Sequence, residues 1–231
     1  MNKGIFITGT DTGVGKTVVT GLLGRYLLDE GVNAVTQKWI QTGCDSVSED
    51  IIAHEKLMGE GSGRFKEFYP DMAPYIFKYP ASPHLAASLE GENIDPVKIT
   101  GSFYRLSDKF DIVLAEGAGG VMVPLNGEMT ISDIAGELKL PVLIVAENRL
   151  GAINQTLLTV EAVRVRNLKI LGIVFNRPSS SGDEFILNDN LKIIEKLSGE
   201  RVFGELPYSE DIFKLHEDFR TIGKDIWEMI S

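Results

Sequence analysis

A glycine-rich segment near the start of the chain carries residue types that bind phosphate. It reads Gly9-Thr-Asp-Thr-Gly-Val-Gly-Lys-Thr17 and lies between an apolar run and a segment with helical spacing. Glycines let the backbone turn its N–H groups toward an anion, and the N-terminus of the following helix attracts negative charge. Lys16 can reach the β- and γ-phosphates of a nucleotide, and the Thr17 hydroxyl can bind Mg²⁺. The segment therefore predicts a nucleotide-binding loop.

The spacing of this loop departs from the pattern G-x-x-x-x-G-K-[ST]. Thr10 stands at the first glycine position of that pattern, and Gly9 makes the loop one residue longer. An ordinary glycine-rich turn between a strand and a helix is the alternative interpretation. The Gly-Lys-Thr run at the strand–helix junction favours the nucleotide loop.

A second glycine-rich segment begins with an acid, Glu116, after the apolar residues 111–115. In open α/β sheets, ligands bind beyond the carboxyl ends of the strands. A carboxylate at that position can hold Mg²⁺ opposite Thr17. Gly117 and Gly119 would let the backbone approach a ligand closely. The alternative is a solvated glutamate that opens a glycine loop.

Lys38 ends the second predicted strand, so it should face the same edge of the sheet as the phosphate loop. A lysine there can stabilise negative charge on a transferred phosphoryl group, although a solvated lysine is also common at a strand end. Asp50 opens the next helix, as an acid favoured by the helix dipole or as a second carboxylate for Mg²⁺. Spacing alone does not choose among Asp45, Glu49 and Asp50.

The segments that must position these residues alternate between apolar runs and helical periodicity. Strands are predicted at 5–7, 33–38, 111–115, 141–146, 171–175 and 202–206, and helices at 18–30, 49–58, 96–109, 153–165 and 184–197. Strands that are apolar throughout are typical of a mostly parallel sheet with helices on both faces. We therefore predict a single α/β domain over residues 1–231, with loops at 39–48 and 116–120. Residues 59–83 remain unassigned.

The composition excludes several functional classes. There are 23 Lys and Arg against 33 Asp and Glu, a net charge of -10, which disfavours binding to nucleic acid or to an anionic membrane. Cys44 is the only cysteine, so no internal disulfide is possible and a reducing compartment is favoured. We find no signal-peptide core, no apolar run long enough to span a membrane, and no Ser-His-Asp pattern. The sequence predicts a cytoplasmic protein.

Taken together, these motifs resemble those of dethiobiotin synthetases. The matching segments are Gly9–Thr17, Lys38 with Thr42-Gly43, Ser82-Pro83-His84, Glu116-Gly-Ala-Gly-Gly120, Leu150-Gly-Ala-Ile-Asn154, Phe175-Asn176 and Gly204-Glu-Leu-Pro207. The resemblance implies a P-loop NTPase-like fold and an ATP- and Mg²⁺-dependent ligase that works as a homodimer. Such an enzyme converts 7,8-diaminononanoate, CO₂ (from bicarbonate) and ATP to dethiobiotin, ADP and phosphate.

The resemblance also implies a role for each matching residue. Lys38 would be catalytic, and Thr42 would contact the diamine. Mg²⁺ would be held by Thr17, Asp50 and Glu116. The nucleotide would contact Gly13, Val14, Gly15, Lys16, Thr17, Asp50, Glu116, Gly117 and Gly119 at its phosphate end, and Asn176, Arg177, Pro207, Tyr208 and Ser209 at its adenine end. The substrate carboxylate would be held across the dimer interface near Leu150, Gly151 and Asn154.

Two residues differ from the expected family pattern. Trp39 follows Lys38 where proline is usual, which concerns the shape of the local loop and not the lysine. Thr42 stands where serine is common, and it keeps the hydroxyl. The resemblance assigns no role to His84, for which a structural role is the simpler interpretation.

Two alternative functions use the same type of nucleotide-binding scaffold. A cobyrinate amidase-like ligase would require an additional domain with a cysteine nucleophile, for which this chain is too short. A partitioning-type ATPase switch usually carries an extra lysine early in the phosphate loop, and residues 9–15 contain none. Dependence of phosphate release on the diamine and bicarbonate distinguishes the ligase from the switch.

Overall fold

The protein is described here from a computed structural model, which describes residues 4–61 and 63–231. Predictions that involve residues 1–3 and 62 lie outside the described residues. The strands are β1 (Gly4–Gly9), β2 (Ala34–Lys38), β3 (Ile40–Thr42), β4 (Tyr75–Phe77), β5 (Ile112–Gly120), β6 (Val142–Glu147), β7 (Ile170–Asn176) and β8 (Val202–Leu206). The α-helices are α1 (Lys16–Asp29), α2 (Glu49–Met58), α3 (Tyr69–Met72), α4 (Pro83–Leu89), α5 (Pro96–Ser107), α6 (Ile131–Glu137), α7 (Ala152–Val165), α8 (Glu184–Ser198) and α9 (Ile212–Glu228).

A six-stranded sheet in the order β2-β5-β1-β6-β7-β8 forms the centre of the fold. Every pair of neighbouring strands in it is parallel. Successive side chains of β1 belong to opposite faces: Phe6 packs into one apolar cluster, and Ile5 and Ile7 pack into the other. Burial on both faces explains why strands such as β1, β6 and β7 are mostly apolar.

Helices cover both faces of this sheet. Apolar residues of α1 and α9, such as Leu23 and Phe219, pack in the cluster with Ile5 and Ile7. Residues of α5, α6 and α7, such as Phe103 and Val160, pack in the cluster with Phe6. The predicted fold class, a parallel sheet between two helical layers, is confirmed.

Two predicted loops are wrong. Within 39–48, β3 pairs in parallel with β4 in a small second sheet, in which Ile40 faces Tyr75 and Thr42 faces Phe77. The segment 116–120 continues β5, because the register shifts between Ile7 and Gly9 of β1 and lets the longer segment remain paired. Glycine content predicted the end of the strand, whereas the pairing of Glu116 with Ile7 and of Gly120 with Gly9 keeps the segment in the sheet.

Trp39, which replaces the expected proline, is a core residue. Its ring is fully buried and stacks on Phe6 with ring centroids 4.7 Å apart and an interplanar angle of 7°. Its indole N–H donates to Gln37 Oε1 at 3.0 Å. These contacts hold the backbone between β2 and β3. Lys38 therefore keeps a fixed position although tryptophan, and not proline, follows it.

Within the described residues, the helices include none long and apolar enough to cross a membrane.

Candidate active site

The phosphate loop connects β1 to α1 in the predicted position. Gly15 precedes the first helical residue and adopts a left-handed conformation with φ 101°. A Cβ atom at Gly15 would lie 2.1 Å from Asn176 Nδ2, so a larger residue would displace that side chain. Asn176 Nδ2 donates to Val14 O at 3.0 Å. The end of β7 therefore holds the loop in its curved form.

Four predicted site residues converge where Lys38, the last residue of β2, pairs with Glu116 of β5. The ammonium of Lys38 lies 2.7 Å from Glu116 Oε1 and 2.7 Å from Asp50 Oδ2. The hydroxyl of Thr17 lies 3.1 Å from Glu116 Oε1 and 3.2 Å from Asp50 Oδ1. Its single hydrogen can be donated to only one of these carboxylates at a time. Lys16, from the same turn of α1, donates to Asp11 O at 2.9 Å.

The charges in this cluster stabilise one another. Burial alone would raise the pKa of Glu116, but the Lys38 ammonium and hydrogen bonds from His54 and Lys38 hold that pKa well below its usual range. Burial alone would lower the pKa of Lys38, but Glu116 and Asp50 raise it above its usual value. Lys38 is therefore a permanent cation at neutral pH. It can stabilise negative charge, but it cannot act as a base.

A cavity of about 740 Å³ opens beside this cluster. Predicted site residues that line it are Gly13, Gly15, Lys16, Thr17, Lys38, Thr42, Asp50, Glu116 and Gly119. Residues 80–83, which run from the loop after β4 into the start of α4, also line the cavity. The cavity has room for a small substrate next to the phosphate loop.

The predicted adenine-binding residues lie at the neighbouring ends of β7 and β8, where Asn176 pairs with Leu206. Arg177 is held between two carboxylates, with Nη1 donating to Glu184 Oε1 at 2.6 Å and Nη2 lying 2.5 Å from Glu205 Oε1. Its guanidinium is thus engaged by the protein itself. The segment 207–209 follows β8 and is partly exposed, with Tyr208 donating to Glu210.

The predicted carboxylate-binding residues lie apart from this cavity. Leu150, Gly151 and Asn154 belong to the connection from β6 to α7 and to the first turn of α7, and none of them lines the cavity. The Leu150 side chain is 76% exposed. The structure does not bring these residues together with Lys38 within one chain.

The oxygen atoms around Thr17 fit a magnesium ion. Mg²⁺ prefers oxygen ligands and is usually bound through one or two carboxylates together with substrate phosphates. Thr17, Asp50 and Glu116 supply a hydroxyl and two carboxylates at one point. No cluster of three or more His, Cys, Asp or Glu side chains suited to a metal occurs in residues 4–61 and 63–231. A metal here would need ligands from the nucleotide as well.

The sequence interpretation gave no role to several residues near the cluster. His54 lies on α2 one turn after Asp50, and its Nε2 is 2.8 Å from Glu116 Oε2. The four-residue spacing from Asp50 placed both side chains on one helix face, which was the available signal. Ser82 lines the cavity, whereas His84 is exposed, with Nδ1 3.1 Å from Ser82 Oγ.

Comparisons with known proteins identify the relatives of this chain. A family model described as an AAA domain matches residues 3–214. A protein of Chlorobaculum tepidum named ATP-dependent dethiobiotin synthetase BioD is 44% identical over 201 residues, which are 87% of this chain and 83% of that protein. The chain belongs to the dethiobiotin synthetase family. A second family member, the BioD of Halalkalibacterium halodurans, is 41% identical over 94% of this chain and 89% of its own length.

Solved structures similar to this member of the dethiobiotin synthetase family show its fold class. The MinD cell division protein of Aquifex aeolicus has a TM-score of 0.58 at 14% identity, covering 99% of this chain and 97% of its own. A ParA family ATPase from Chlorobium tepidum has a TM-score of 0.57 at 14% identity, with coverage of 100% and 98%. At such low identity these similarities establish the shared P-loop NTPase fold alone.

Proposed function

We propose that this protein is an ATP-dependent dethiobiotin synthetase that closes a ureido ring on 7,8-diaminononanoate with CO₂. The observation that supports this most directly is the convergence of Lys16, Thr17, Lys38, Asp50 and Glu116 beside one cavity. The named relatives supply the identity of the reaction. No protein nucleophile is required, which agrees with the absence of any role for Cys44 in the site.

The reaction needs charge neutralisation and positioning. One amine of the substrate captures CO₂ as a carbamate, which is a poor electrophile. Transfer of the γ-phosphoryl group to the carbamate oxygen creates a phosphate leaving group, and the second amine then attacks the same carbon within the molecule. Tethering makes this last step efficient, because effective molarities of well-oriented groups reach about 10⁵–10⁸ M.

Each residue of the cluster has a distinct part in the proposal. Lys16 and the loop N–H groups hold the phosphates, and the permanently charged Lys38 stabilises the transferred phosphoryl group. Thr42, at the end of β3, lines the same cavity and would contact the diamine. A bound Mg²⁺, held by Thr17, Asp50 and Glu116, would neutralise charge on the phosphate oxygens.

The adenine end of ATP is proposed to lie at the ends of β7 and β8. Asn176 uses one amide hydrogen for Val14 O, which leaves its other hydrogen and its Oδ1 atom for the base. Arg177, held by Glu184 and Glu205, would keep the segment 207–209 in place through its own backbone N–H, which donates to Leu206 O at 2.9 Å. Arg177 would then contribute by keeping the adenine-binding segment in position and not by contacting adenine itself.

We also propose that the protein works as a homodimer of one-domain chains in the cytoplasm. Exposed apolar side chains support a dimer, since Leu150, Leu158 and Val165 on and before α7 are 76%, 61% and 76% exposed. A partner could then bring Leu150, Gly151 and Asn154 to the cavity of the other chain. The lone thiol of Cys44 suits a reducing compartment.

The proposed activity is tested by a coupled assay of phosphate release with Mg²⁺ and each nucleoside triphosphate in turn. Release should require both 7,8-diaminononanoate and bicarbonate, and it should be fastest with ATP if the Asn176 amide pairs with adenine. Dethiobiotin should form in equal amount. Phosphate release that proceeds unchanged without the diamine would instead indicate an ATPase switch.

The affinity for ATP is expected to fall as the pH rises above about 8. Burial and the neighbouring Lys38 lower the pKa of Lys16 to about 8, and the charged ammonium is the form that attracts a triphosphate. Below that pH Lys16 is already charged, so its titration does not make the affinity for ATP depend on pH. Above it, binding must take up a proton, and the affinity falls by up to about tenfold per pH unit.

Calorimetric titration with ATP at a series of pH values on both sides of this pKa checks the expectation. Lys16→Arg is the matched control, because a guanidinium stays charged throughout and should flatten the slope. A wild-type affinity that stays constant across the series would contradict a role for Lys16 titration.

A further inference from the structure

His54 contacts Glu116 of the cluster, although it is not among the residues proposed to bind ATP or the substrate. It lies on α2, its side chain is fully buried, and its Nε2 atom is 2.8 Å from Glu116 Oε2. Glu116 is fully buried as well. A buried contact of this length between a ring nitrogen and a carboxylate is a hydrogen bond to a charged group, which is stronger than a neutral one.

This contact divides the two oxygens of Glu116 between different tasks. Oε2 accepts from His54, whereas Oε1 faces Lys38 at 2.7 Å and Thr17 at 3.1 Å. Because the carboxylate is planar, holding Oε2 also fixes the direction of Oε1. Only Oε1 is therefore presented to the phosphate loop.

The surroundings of the ring support this direction of the hydrogen bond. His54 Nδ1 is buried and has no hydrogen-bond partner among the described residues. Glu116 cannot donate while it is ionised, so Nε2 must carry the hydrogen. The Nε2–H group therefore points at Glu116 Oε2.

We propose that His54 is a positioning residue that fixes Glu116 so that its Oε1 atom alone is available as a single, directed ligand for a divalent cation. The inference rests on the proposed role of Glu116 in Mg²⁺ binding and goes beyond it. His54 touches neither the nucleotide loop nor the cavity, so it acts through Glu116. Partners of this kind orient ligands in metal sites, and their removal typically weakens metal binding or activity by about 10–100-fold.

The test compares His54→Leu, which removes the donor, with His54→Gln, whose amide can replace Nε2–H. The first measurement is Mn²⁺ binding to the protein with a non-hydrolysable ATP analogue, followed by electron paramagnetic resonance. The second is the Mg²⁺ concentration that gives half-maximal phosphate release. We expect His54→Leu to weaken both by about 10–100-fold and His54→Gln to restore most of the affinity.

His216→Leu is the matched control. His216 also uses Nε2 in one hydrogen bond, at 2.6 Å to Leu57 O of α2, but it does not contact the cluster. Cation binding by this variant should equal that of the wild type. If leucine at position 54 prevents folding, His54→Phe provides a ring without the donor.

The outcomes separate this inference from the proposed function. An active wild type whose folded His54→Leu or His54→Phe variant binds Mn²⁺ as tightly as before overturns the positioning role alone. Equal loss in His54→Gln and His54→Leu also overturns it, because the donor would then not matter. A wild type without diamine-dependent phosphate release overturns the proposed function and this role with it.

Discussion

Replacing Lys16 with alanine is expected to abolish ATP-dependent turnover. Lys16 lies at the start of α1, where the left-handed Gly15 ends the phosphate loop, and its side chain faces the cavity. The cluster contains two carboxylates, Asp50 and Glu116, which repel a triphosphate. Without Lys16, the remaining lysine of the cluster is Lys38, which is already engaged with both carboxylates. The binding of ATP should therefore be lost together with catalysis.

Equilibrium binding of ATP and steady-state phosphate release together measure this effect. Lys224→Ala is the control, since this exposed lysine on α9 forms an ion pair with Glu228 at 3.7 Å, away from the cluster, and its removal changes the net charge equally. That variant should behave as the wild type does. Normal turnover by Lys16→Ala would refute the assignment of the loop.

Replacing Lys38 with glutamine should lower kcat by about 10²–10³-fold while changing ATP binding much less, because its charge matters most where charge develops on the transferred group. The buried ammonium lies between Glu116 and Asp50, so its removal also takes away the cation that contacts both carboxylates. Breaking such a buried pair costs about 3–5 kcal/mol. The variant must therefore be assayed below its own unfolding temperature, measured in parallel.

Lys38→Arg separates the charge from the exact position of the ammonium. It keeps a cation near Glu116 and should retain more stability than Lys38→Gln, yet its larger planar group fits the buried site poorly. Steady-state kinetics with saturating diamine, combined with ATP binding, distinguish these effects. An unchanged kcat in folded Lys38→Gln would remove Lys38 from the mechanism.

The sequence predicted the elements whose cause is local and strongly patterned. Strands β1, β6 and β7 are almost fully buried, so their apolar runs are a clear signal in the sequence. Helix α2 begins and ends where predicted because Ser48 caps it and Gly59 adopts the left-handed conformation that ends it. Strand β3 was missed because it is three residues long and contains Gln41 and Thr42, whose pairing depends on β4 far along the chain.

Helices α4, α6 and α9 were not among the predicted elements, although α9 has a helical pattern in the sequence. Helix α9 buries Phe219, Ile222, Gly223 and Ile226 at helical spacing, which is a readable pattern. The helices α4 and α6 have seven residues each and give a weaker periodic signal.

Residues of the candidate site that belong to a sequence motif could be predicted. Residues that reach the site only through the folding of distant segments could not. The phosphate loop, Lys38 and Glu116 follow from residue type at a strand end. Spacing alone did not choose Asp50 among three nearby acids, and only the family resemblance named it. In the structure Asp50 is the acid that reaches both Lys38 and Thr17. His54 and Glu116 are 62 positions apart in the sequence, so no local sequence pattern predicts their contact.

The separation of these residues along the chain has a consequence for how the protein reaches its native state. Thr17 and Glu116 are 99 positions apart, and they meet only once β1 and β5 have paired. Parallel pairing of distant strands pays the entropy of closing long loops before any contact is gained, so it tends to be slow. During synthesis or refolding, a chain with most of its helices formed would still lack the contact between Thr17 and Glu116 that the proposed cation site requires. Catalytic competence is thus among the last properties to emerge, and it cannot survive partial unfolding of the central sheet.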